Sequence, residues 1–337
     1  MNVGEQINED RTMSWQPSAP LENLKLRAQL LRSIREFFNE RDVLEVETPL
    51  LSQGTVTDVH LDPFVTPFDY HVSGQPQNHY LQTSPEFAMK RLLAAGSGPI
   101  YQITKAFRNE AAGRFHNPEF SMLEWYRPGF DDQQLMDEVA DLVVRVLGVP
   151  SVKRVSYQQA FMQFLNIDPF AISFSQLQAF TLERYQDQWV KDETDKDVLL
   201  QWLFSDIIEP QLGISEGAAL PCFVFDFPSS QASLAKINQR NPNVAHRFEL
   251  YFKGIELANG FYELQDATEQ RRRFEKDNQM RQKLGREQRP IDELFIDALS
   301  HGLPDCSGVA LGVDRLLMCQ LNAQHINQVI SFDQPRC

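Results

Sequence analysis

Cysteine is scarce in this 337-residue chain. Cys222, Cys306, Cys319 and Cys337 are the four present, and none fall in a C-x-x-C spacing. Free thiols in a reducing compartment are the default for such a set, so a cytoplasmic location is expected. The seven histidines form no H-E-x-x-H pattern, which argues against a zinc site. Positive charge is in deficit. Lys plus Arg number 32 against 46 Asp plus Glu, a net charge of −14. That argues against broad electrostatic adhesion to nucleic acid, although a local basic patch can sit on an acidic protein. No run of about 18 apolar residues occurs, so no membrane span is expected. The start, MNVGEQINEDRTMSWQ, is polar and acidic with no apolar core and does not read as a signal peptide.

What is present is an ordinary globular composition, 42% apolar, in a length suited to one large domain or two modest ones. The most informative stretch is KAFRNEAAGRFHNPEFSMLEWYR, residues 105–127. Alternation from Ile100 places Arg108 and Glu110 on one face of a strand. The segment 111–117 suits an exposed polar loop. A second alternation puts Phe120, Met122, Glu124 and Tyr126 on one face, and a hairpin would join the two. A guanidinium there can take a phosphate bidentately and a ring can stack on a base. A structural hairpin with an ion pair would use the same residue types.

FRNE, a loop ending in HNPEF, and MLEWY closely resemble motif 2 of the class II aminoacyl-tRNA synthetases. The resemblance implies that Arg108 bridges the ATP α-phosphate and the amino-acid carboxylate. It implies that Glu110 holds the adenine end, His116 reaches the outer phosphates and Phe120 stacks on adenine. Asn109 and Asn117 of the same motif are expected to contact ATP.

Other stretches extend the likeness. Residues 1–20 read as a loose leader. From Leu21 a helix is expected, with Leu24, Ala28, Leu31, Ile34 and Phe38 at helical spacing. VLEVETPLL follows as a strand that Pro49 ends or confines to an edge. Helix, strand and Pro resemble motif 1, which implies a homodimer formed through these elements. In TSPEFAMKRLL, Ser84 and Pro85 make a helix start, with Ser84 as N-cap and Pro85 in the first position. Glu86 could simply complement the helix dipole. By resemblance to the lysyl-tRNA synthetase branch it receives an ammonium group of the substrate, beside Ser84 and Pro85.

Residues 131–147 read as an amphipathic helix. A helical insertion is expected over about 151–212, opened by a Ser156–Gln159 capping box and carrying no catalytic pattern. KDETDKD within it reads as a solvated turn. PCFVFDFP reads as a buried strand in which Asp226 needs a partner. AHRFELYFKGIELANGFYEL reads as two strands joined at Lys253-Gly254. Glu256 and Glu263 have opposite parity, and Asn259-Gly260 is expected to supply a bulge or turn between them. Clustered acids in a nucleotide site imply a hard cation. The segment resembles the one in lysyl-tRNA synthetases that holds Mg²⁺ and the substrate amines. That implies Mg²⁺ on Glu256 and Glu263, ATP contacts from Glu256 and Leu257, and substrate contacts from Tyr126, Asn259 and Glu263. The charged stretch 267–284 reads as a solvated helix rather than a nucleic-acid surface. DCSGVALGVDRLLM feeds a helix from Val313 and resembles motif 3, which implies ATP contacts from Gly312 and a γ-phosphate clamp from Arg315.

The resemblance spans Leu21 to Phe332. It implies an α+β fold: an antiparallel sheet flanked by helices, the class II synthetase catalytic domain, over residues 21–337. It also implies ATP and Mg²⁺ as co-substrate and cofactor, and Arg108 and Arg315 as catalytic groups. No OB barrel is legible before the first helix. The expected activity is that of the stand-alone paralogues of lysyl-tRNA synthetase. These activate a lysine-like substrate, (R)-β-lysine, as an adenylate and pass it to a lysine ε-amine of elongation factor P. No stable tRNA binding is expected. Ser84 and Ala310, which replace the usual Ala and Gly, would reshape the floor of the amino-acid pocket. A truncated enzyme that still charges tRNA, or a non-catalytic amino-acid-binding paralogue, would share much of this pattern.

Overall fold

The computed structural model describes residues 15–70, 73–214 and 219–337; residues 1–14 of the expected leader lie outside them. Helix α1 (Leu21–Asn39) buries Leu30, Ile34, Phe37 and Phe38. Ala28, expected on that stripe, is exposed, as are Leu21 and Leu26. The N-terminal half of α1 is therefore uncovered. The expected strand after it is two short pieces, β1 (Leu44–Glu45) and β2 (Leu51–Ser52), on either side of Pro49. Proline cannot donate to a ladder, so the interruption falls where it must. Strands β3 (Val65–Phe68) and β4 (Gln77–Leu81) complete a three-stranded sheet in the order β2-β4-β3.

Helix α2 (Glu86–Ala94) starts later than the Ser-Pro signal suggests. Pro85 is the N-cap, and the Ser84 hydroxyl accepts the Glu86 N–H at 3.0 Å. Strands β5 (Ile100–Phe107) and β6 (Glu119–Pro128) form the expected hairpin. The first strand is shorter than its alternation implied. It ends at Phe107, so Arg108 and Glu110 belong to the connecting loop rather than to a strand face. Helix α3 (Asp132–Leu147) opens on an Asp131–Gln134 capping box and closes at a left-handed Gly148.

The insertion opens with β7 (Lys153–Ser156), a strand the sequence pattern did not announce, and the Ser156–Gln159 capping box starts α4 (Tyr157–Leu165). Helices α5 (Phe174–Tyr185), α6 (Gln188–Asp192) and α7 (Lys196–Leu203) follow. KDETDKD is thus not one turn. Its ends are helical, and Glu193 and Asp195 carboxylates cap the backbone N–H groups of Thr194, Asp195 and Asp197. A π-helical turn, Phe204–Ile208, and a 3₁₀ turn, Glu209–Gln211, end the segment.

The remaining elements are β8 (Cys222–Pro228), β9 (Val244–Phe252), β10 (Ile255–Tyr262), α8 (Ala267–Lys283), α9 (Glu293–Gly302), β11 (Cys306–Gly312) and α10 (Val313–Leu321). Lys253 and Gly254 both have positive φ, 54° and 72°, as a two-residue hairpin turn requires. Asp226 sits at positive φ in an irregularity between Phe225 and Phe227. Its neighbours are Asp132 and His246.

The main sheet has eight strands in the order β1-β5-β6-β11-β10-β9-β8-β7. Its interior is antiparallel, and only the edge pairs β1–β5 and β7–β8 are parallel. One face carries the core. Leu123 and Trp125 of β6, Phe248 and Leu250 of β9, and Val309 and Leu311 of β11 pack with buried residues of α1, α3 and α10. The alternate residues of the same strands face the other way and form the floor of a cleft. The insertion has its own apolar core, which takes in Val224 and Phe227 of β8 and Tyr251 of β9. No helix among the described residues is long and apolar enough to cross a membrane.

One guanidinium ties the first helix to the cleft. Arg27 donates to the Asp314 carboxylate at 2.6 Å and to the Ser121 hydroxyl at 2.7 Å, and Asp314 in turn accepts the Ser121 N–H at 2.7 Å.

Gly260 shows how closely the sheet and core are packed. A Cβ there would lie 2.3 Å from Cζ of Phe248. Gly260→Ala is expected to destabilise the fold by about 1–3 kcal/mol through overpacking. Denaturant unfolding should show a lowered midpoint with an unchanged slope; an unaltered midpoint would mean that Phe248 moves aside freely.

Candidate active site

The cleft has a volume of about 1360 Å³ and runs across the sheet between the β5–β6 loop, the insertion and α8. Its two ends carry different chemistry.

At the first end two arginines converge on one acid. Arg108 follows β5 directly, and its N–H donates to the Pro118 carbonyl at 2.9 Å, closing the base of the loop. Its guanidinium lies 5.2 Å from the Phe120 ring centre, and its Nε is buried without a protein partner. A buried, unpaired guanidinium N–H is costly, and this one belongs to a residue that lines the cleft, where an anionic ligand can satisfy it. Burial holds the Arg108 pKa below its ordinary value, opposed by the Glu256 and Glu110 charges. Arg315 comes from the first turn of α10. It donates from Nη1 to the Glu256 carbonyl at 2.9 Å and lies 3.5 Å from the Glu256 carboxylate. Its Nη2 is 2.7 Å from His116 Nε2, so that ring nitrogen is the acceptor. Burial, then the Arg315 and Arg108 charges, hold His116 below its usual pKa.

The other motif 2 residues divide. Glu110 is exposed on the cleft wall, and Phe120 lies on its floor beside Arg108. Asn117 lines the cleft, but both ends of its carboxamide are used internally, Nδ2 on the Glu119 carbonyl and Oδ1 on the Gln334 N–H. It braces the loop. Asn109 is exposed, does not line the cleft, and is tied by its N–H to the Asp62 carbonyl.

The acids of β9 and β10 are arranged differently from the expectation. The extra residue in β10 falls between Glu256 and Ala258, not at Asn259-Gly260. Across the ladder Glu256 opposes Tyr251, Asn259 opposes Glu249 and Phe261 opposes Arg247. Glu256, Asn259, Phe261 and Glu263 therefore share the cleft face with Arg247, Glu249 and Tyr251. Leu257, the extra residue, touches the cleft but is itself buried.

Glu256 and Glu263 are nonetheless too far apart to share one ion. Six regular steps of strand separate them, roughly 20 Å, whereas Mg²⁺–oxygen bonds are about 2 Å. The carboxylate beside Glu256 is Glu249. Burial raises the Glu249 pKa, Arg247 lowers it, and the Glu256 charge raises it further. Glu249 accepts hydrogen bonds from Arg247, from the Tyr251 hydroxyl and, at 3.3 Å, from Asn259 Nδ2. Glu209, at the end of the insertion, feels both acids. Burial followed by Glu256 and Glu249 pushes it up to about 7.

No group of three or more acidic, His or Cys side chains among the described residues is placed to hold a metal by itself. The Glu249 and Glu256 pair does suit Mg²⁺, which is bound through one or two carboxylates together with phosphate oxygens and water. The mutual charge pressure between Glu249 and Glu256 is what a cation would relieve.

The second end is an acidic pocket under α2. Glu86 faces the cleft, and its carboxylate meets the Lys90 ammonium at 2.6 Å. Lys90 also meets Glu263 at 2.5 Å, and both partners of that pair are buried. Glu124 accepts from the Ser84 hydroxyl at 2.8 Å and from the Tyr126 hydroxyl at 2.6 Å. Burial and the Glu86 charge hold Glu124 well above the usual carboxylate range. Gly308 leaves room here, because a Cβ would stand 2.3 Å from the Tyr126 ring and 2.5 Å from Glu263. Ala310 pairs with Glu124 on one side and Asn259 on the other, so Ala310 and Ser84 both border this floor. Asn259 Oδ1 is buried without a partner. Gly312 closes β11 at the cleft, next to Arg315. Pro85, Tyr126 and Glu263 do not line the open cleft; Tyr126 and Glu263 sit beneath it.

Comparison with known proteins identifies the family. The profile described as tRNA synthetases class II (D, K and N) matches residues 5–336. The chain belongs to the class II tRNA synthetases. Within this family it is similar to the elongation factor P–(R)-beta-lysine ligase of Yersinia enterocolitica, 56% identical over 321 residues, 95% of this chain and 98% of that protein. The proteins of the same name from Edwardsiella ictaluri and Hamiltonella defensa are 54% and 52% identical, each over 323 residues, 96% of this chain and 98% of the relative. A class II synthetase is an enzyme and a ligase by family, and the mixed sheet with flanking helices is its fold.

Three site residues escaped the sequence reading: Glu249, Glu124 as more than a face residue, and Lys90. The strand alternation Arg247, Glu249, Tyr251 was the available signal for the first.

The His116 environment gives a direct test. A histidine whose pKa is depressed keeps its neutral form through neutral pH and charges only when pH falls below the ordinary value of about 6.5. The His116 ring resonance should titrate below that value, and Arg315→Met should move its midpoint upward. A midpoint at or above the ordinary value in the unaltered protein would contradict the Arg315–His116 contact.

Proposed function

We propose that this chain activates (R)-β-lysine with ATP and transfers it to the ε-amine of a lysine on elongation factor P. The observation that carries the proposal is the polarity of the cleft. Arg108, Arg315 and Glu256 stand at one end, and the half-buried Glu86 with the buried Glu124 and Glu263 at the other. An amino acid with a carboxylate at one end and two ammonium groups along its length fits that polarity. The names of the relatives supply the isomer and the acceptor.

In the first step the substrate carboxylate attacks the α-phosphorus of ATP, and the bond to pyrophosphate breaks. Arg108 aligns the carboxylate with the α-phosphate and offsets charge growing there; Arg315 does the same at the outer phosphates. The Phe120 ring and the loop carrying Glu110 hold the base. Glu249 and Glu256 would hold Mg²⁺, which neutralises phosphate charge when bound. In the second step the acceptor amine attacks the acyl carbon, AMP leaves, and an amide remains. No protein nucleophile takes part. Glu86 and Asn259, which line the cleft, face the ammonium groups, with Glu124, Tyr126 and Glu263 beneath them supplying negative charge and hydrogen bonds. A net charge of −14 accords with a protein acceptor rather than stable tRNA binding, and a cytoplasmic location accords with four free thiols.

A homodimer through α1 and the short strands after it belongs to the same proposal. Leu21, Leu26, Leu44, Leu51, Val65 and Phe68 are exposed apolar side chains of these elements. Such a patch marks an association surface. Leu26→Asp with Leu44→Asp should convert the dimer to monomer in sedimentation equilibrium; a monomeric unaltered protein would refute the proposed interface.

The activity is tested by ATP–pyrophosphate exchange with α-lysine and (R)-β-lysine side by side, followed by transfer to elongation factor P or to tRNA. Preference for the β isomer and labelling of the protein acceptor are expected; charging of tRNA instead would overturn the proposal. Arg108→Ala should slow exchange by about 10²–10³. Arg108→Lys should not restore it, because the bidentate fork is lost.

A further inference from the structure

The acidic pocket already contains a cation. Lys90 lies on α2 one turn after Glu86, its side chain 1% exposed. Its ammonium lies 5.7 Å from the ring centre of Phe295, a member of the apolar cluster that also holds Phe87, Met89 and Phe274. Burial disfavours its charge, but Glu263 and Glu86 more than reverse this, and its pKa is raised. Lys90 is thus a fixed ammonium bridging two carboxylates on different elements, α2 and the end of β10.

We infer that Lys90 is a positioning residue of the amino-acid pocket. Its ammonium locks the Glu86 and Glu263 carboxylates in place, and it leaves the pocket two positive charges short, which a substrate with two ammonium groups supplies. This rests on the amino-acid-activating function proposed above. The charge count is direct. With all three ionised, Glu86, Glu124 and Glu263 set three carboxylates against one ammonium, a shortfall of two; burial pushes Glu124 and Glu263 up to about 8, so their full charge develops only as ammonium groups arrive. The other groups facing the trio are the Tyr126 hydroxyl, which donates to Glu124, the Cys306 thiol beside Glu263, and Lys236, which acts on Glu263 more weakly than Lys90 does. None can replace Lys90 as a contact ion for both Glu86 and Glu263.

The pocket therefore needs Lys90 to be neither too negative nor too loose. Without it three carboxyl groups share a dry site, and like charges in such a site take up protons. A protonated carboxyl no longer draws the substrate's ammonium. With it, one oxygen of Glu86 is anchored and the other is left to face the cleft.

The test uses the full chain in ATP–pyrophosphate exchange with (R)-β-lysine and α-lysine. Lys90→Met keeps the length and removes the charge. The expected result is a KM for the amino acid raised roughly tenfold or more, because one partner of a buried ion network is gone. The KM for ATP should be little changed. The amino-acid defect should shrink as pH rises from about 6.5 to 8.5, as protons leave the carboxyl trio. Lys90→Arg, which keeps a cation able to bridge two carboxylates, should recover part of the affinity. An unchanged or lowered amino-acid KM in Lys90→Met overturns the inference, and so does an equal, pH-independent loss for both ligands. If Lys90→Met fails to fold, the Nζ resonance of Lys90 in the unaltered protein decides: it should shift on adding (R)-β-lysine and not on adding ATP. An unmodified protein that exchanges with neither isomer refutes the proposed function instead, before any variant is made.

Discussion

One additional residue in β10 decides which way a row of acids faces. If Glu256 through Glu263 were a regular strand, Glu256 would point to the side opposite Glu263, into the apolar layer with Phe248 and Leu250. The irregularity at Leu257 shifts the register by one. It places Glu256 beside Glu249 and near Arg315, while Asn259 and Glu263 continue along the same face. The arginines, the loop and the pocket under α2 are all arranged around that row.

The same row explains why the cleft is electrostatically uncomfortable on its own side chains. Arg108 holds a buried Nε with no protein partner, Asn259 a buried carbonyl oxygen likewise, and Glu209, Glu249 and Glu124 have their ionisation disfavoured by burial and neighbouring charge. A stable core does not carry such groups together. Ligand charges of the right sign would relieve each of them, as the proposed function requires: anionic groups at the arginines, a cation between the paired acids, ammonium groups at the trio. Stability given up in the free protein returns as binding energy, with the ligand oriented by the same contacts.

Much of this was legible in the sequence, and the misses have physical causes. The Lys253-Gly254 turn, the capping box at Ser156, and the strand-to-helix passage at Gly312 follow from local backbone preferences, which short sequences state clearly. The bulge position does not. Leu257 and Ala258 are both apolar, so alternation cannot tell which is the extra residue. Glu249 was hidden because a single acid in FELYF reads as the wet side of a half-buried strand. Lys90 was hidden because a lysine four residues after a glutamate usually means a surface helix pair. Only the packing of α2 against α9 and the sheet shows that this one is interior. Arg108 illustrates the reverse. Its role was assigned from the motif while its placement, in the loop rather than on β5, was not.

The Arg27 tie carries a mechanical consequence. A single guanidinium from α1 grips Asp314, next in sequence to Arg315, and Ser121, next to Phe120. Helix α1 is therefore fastened to side chains that adjoin both Arg315 and Phe120. Any force that shifts α1 is transmitted to Arg315 and the Phe120 ring together, so the outer surface of this molecule and its cleft cannot be tuned independently.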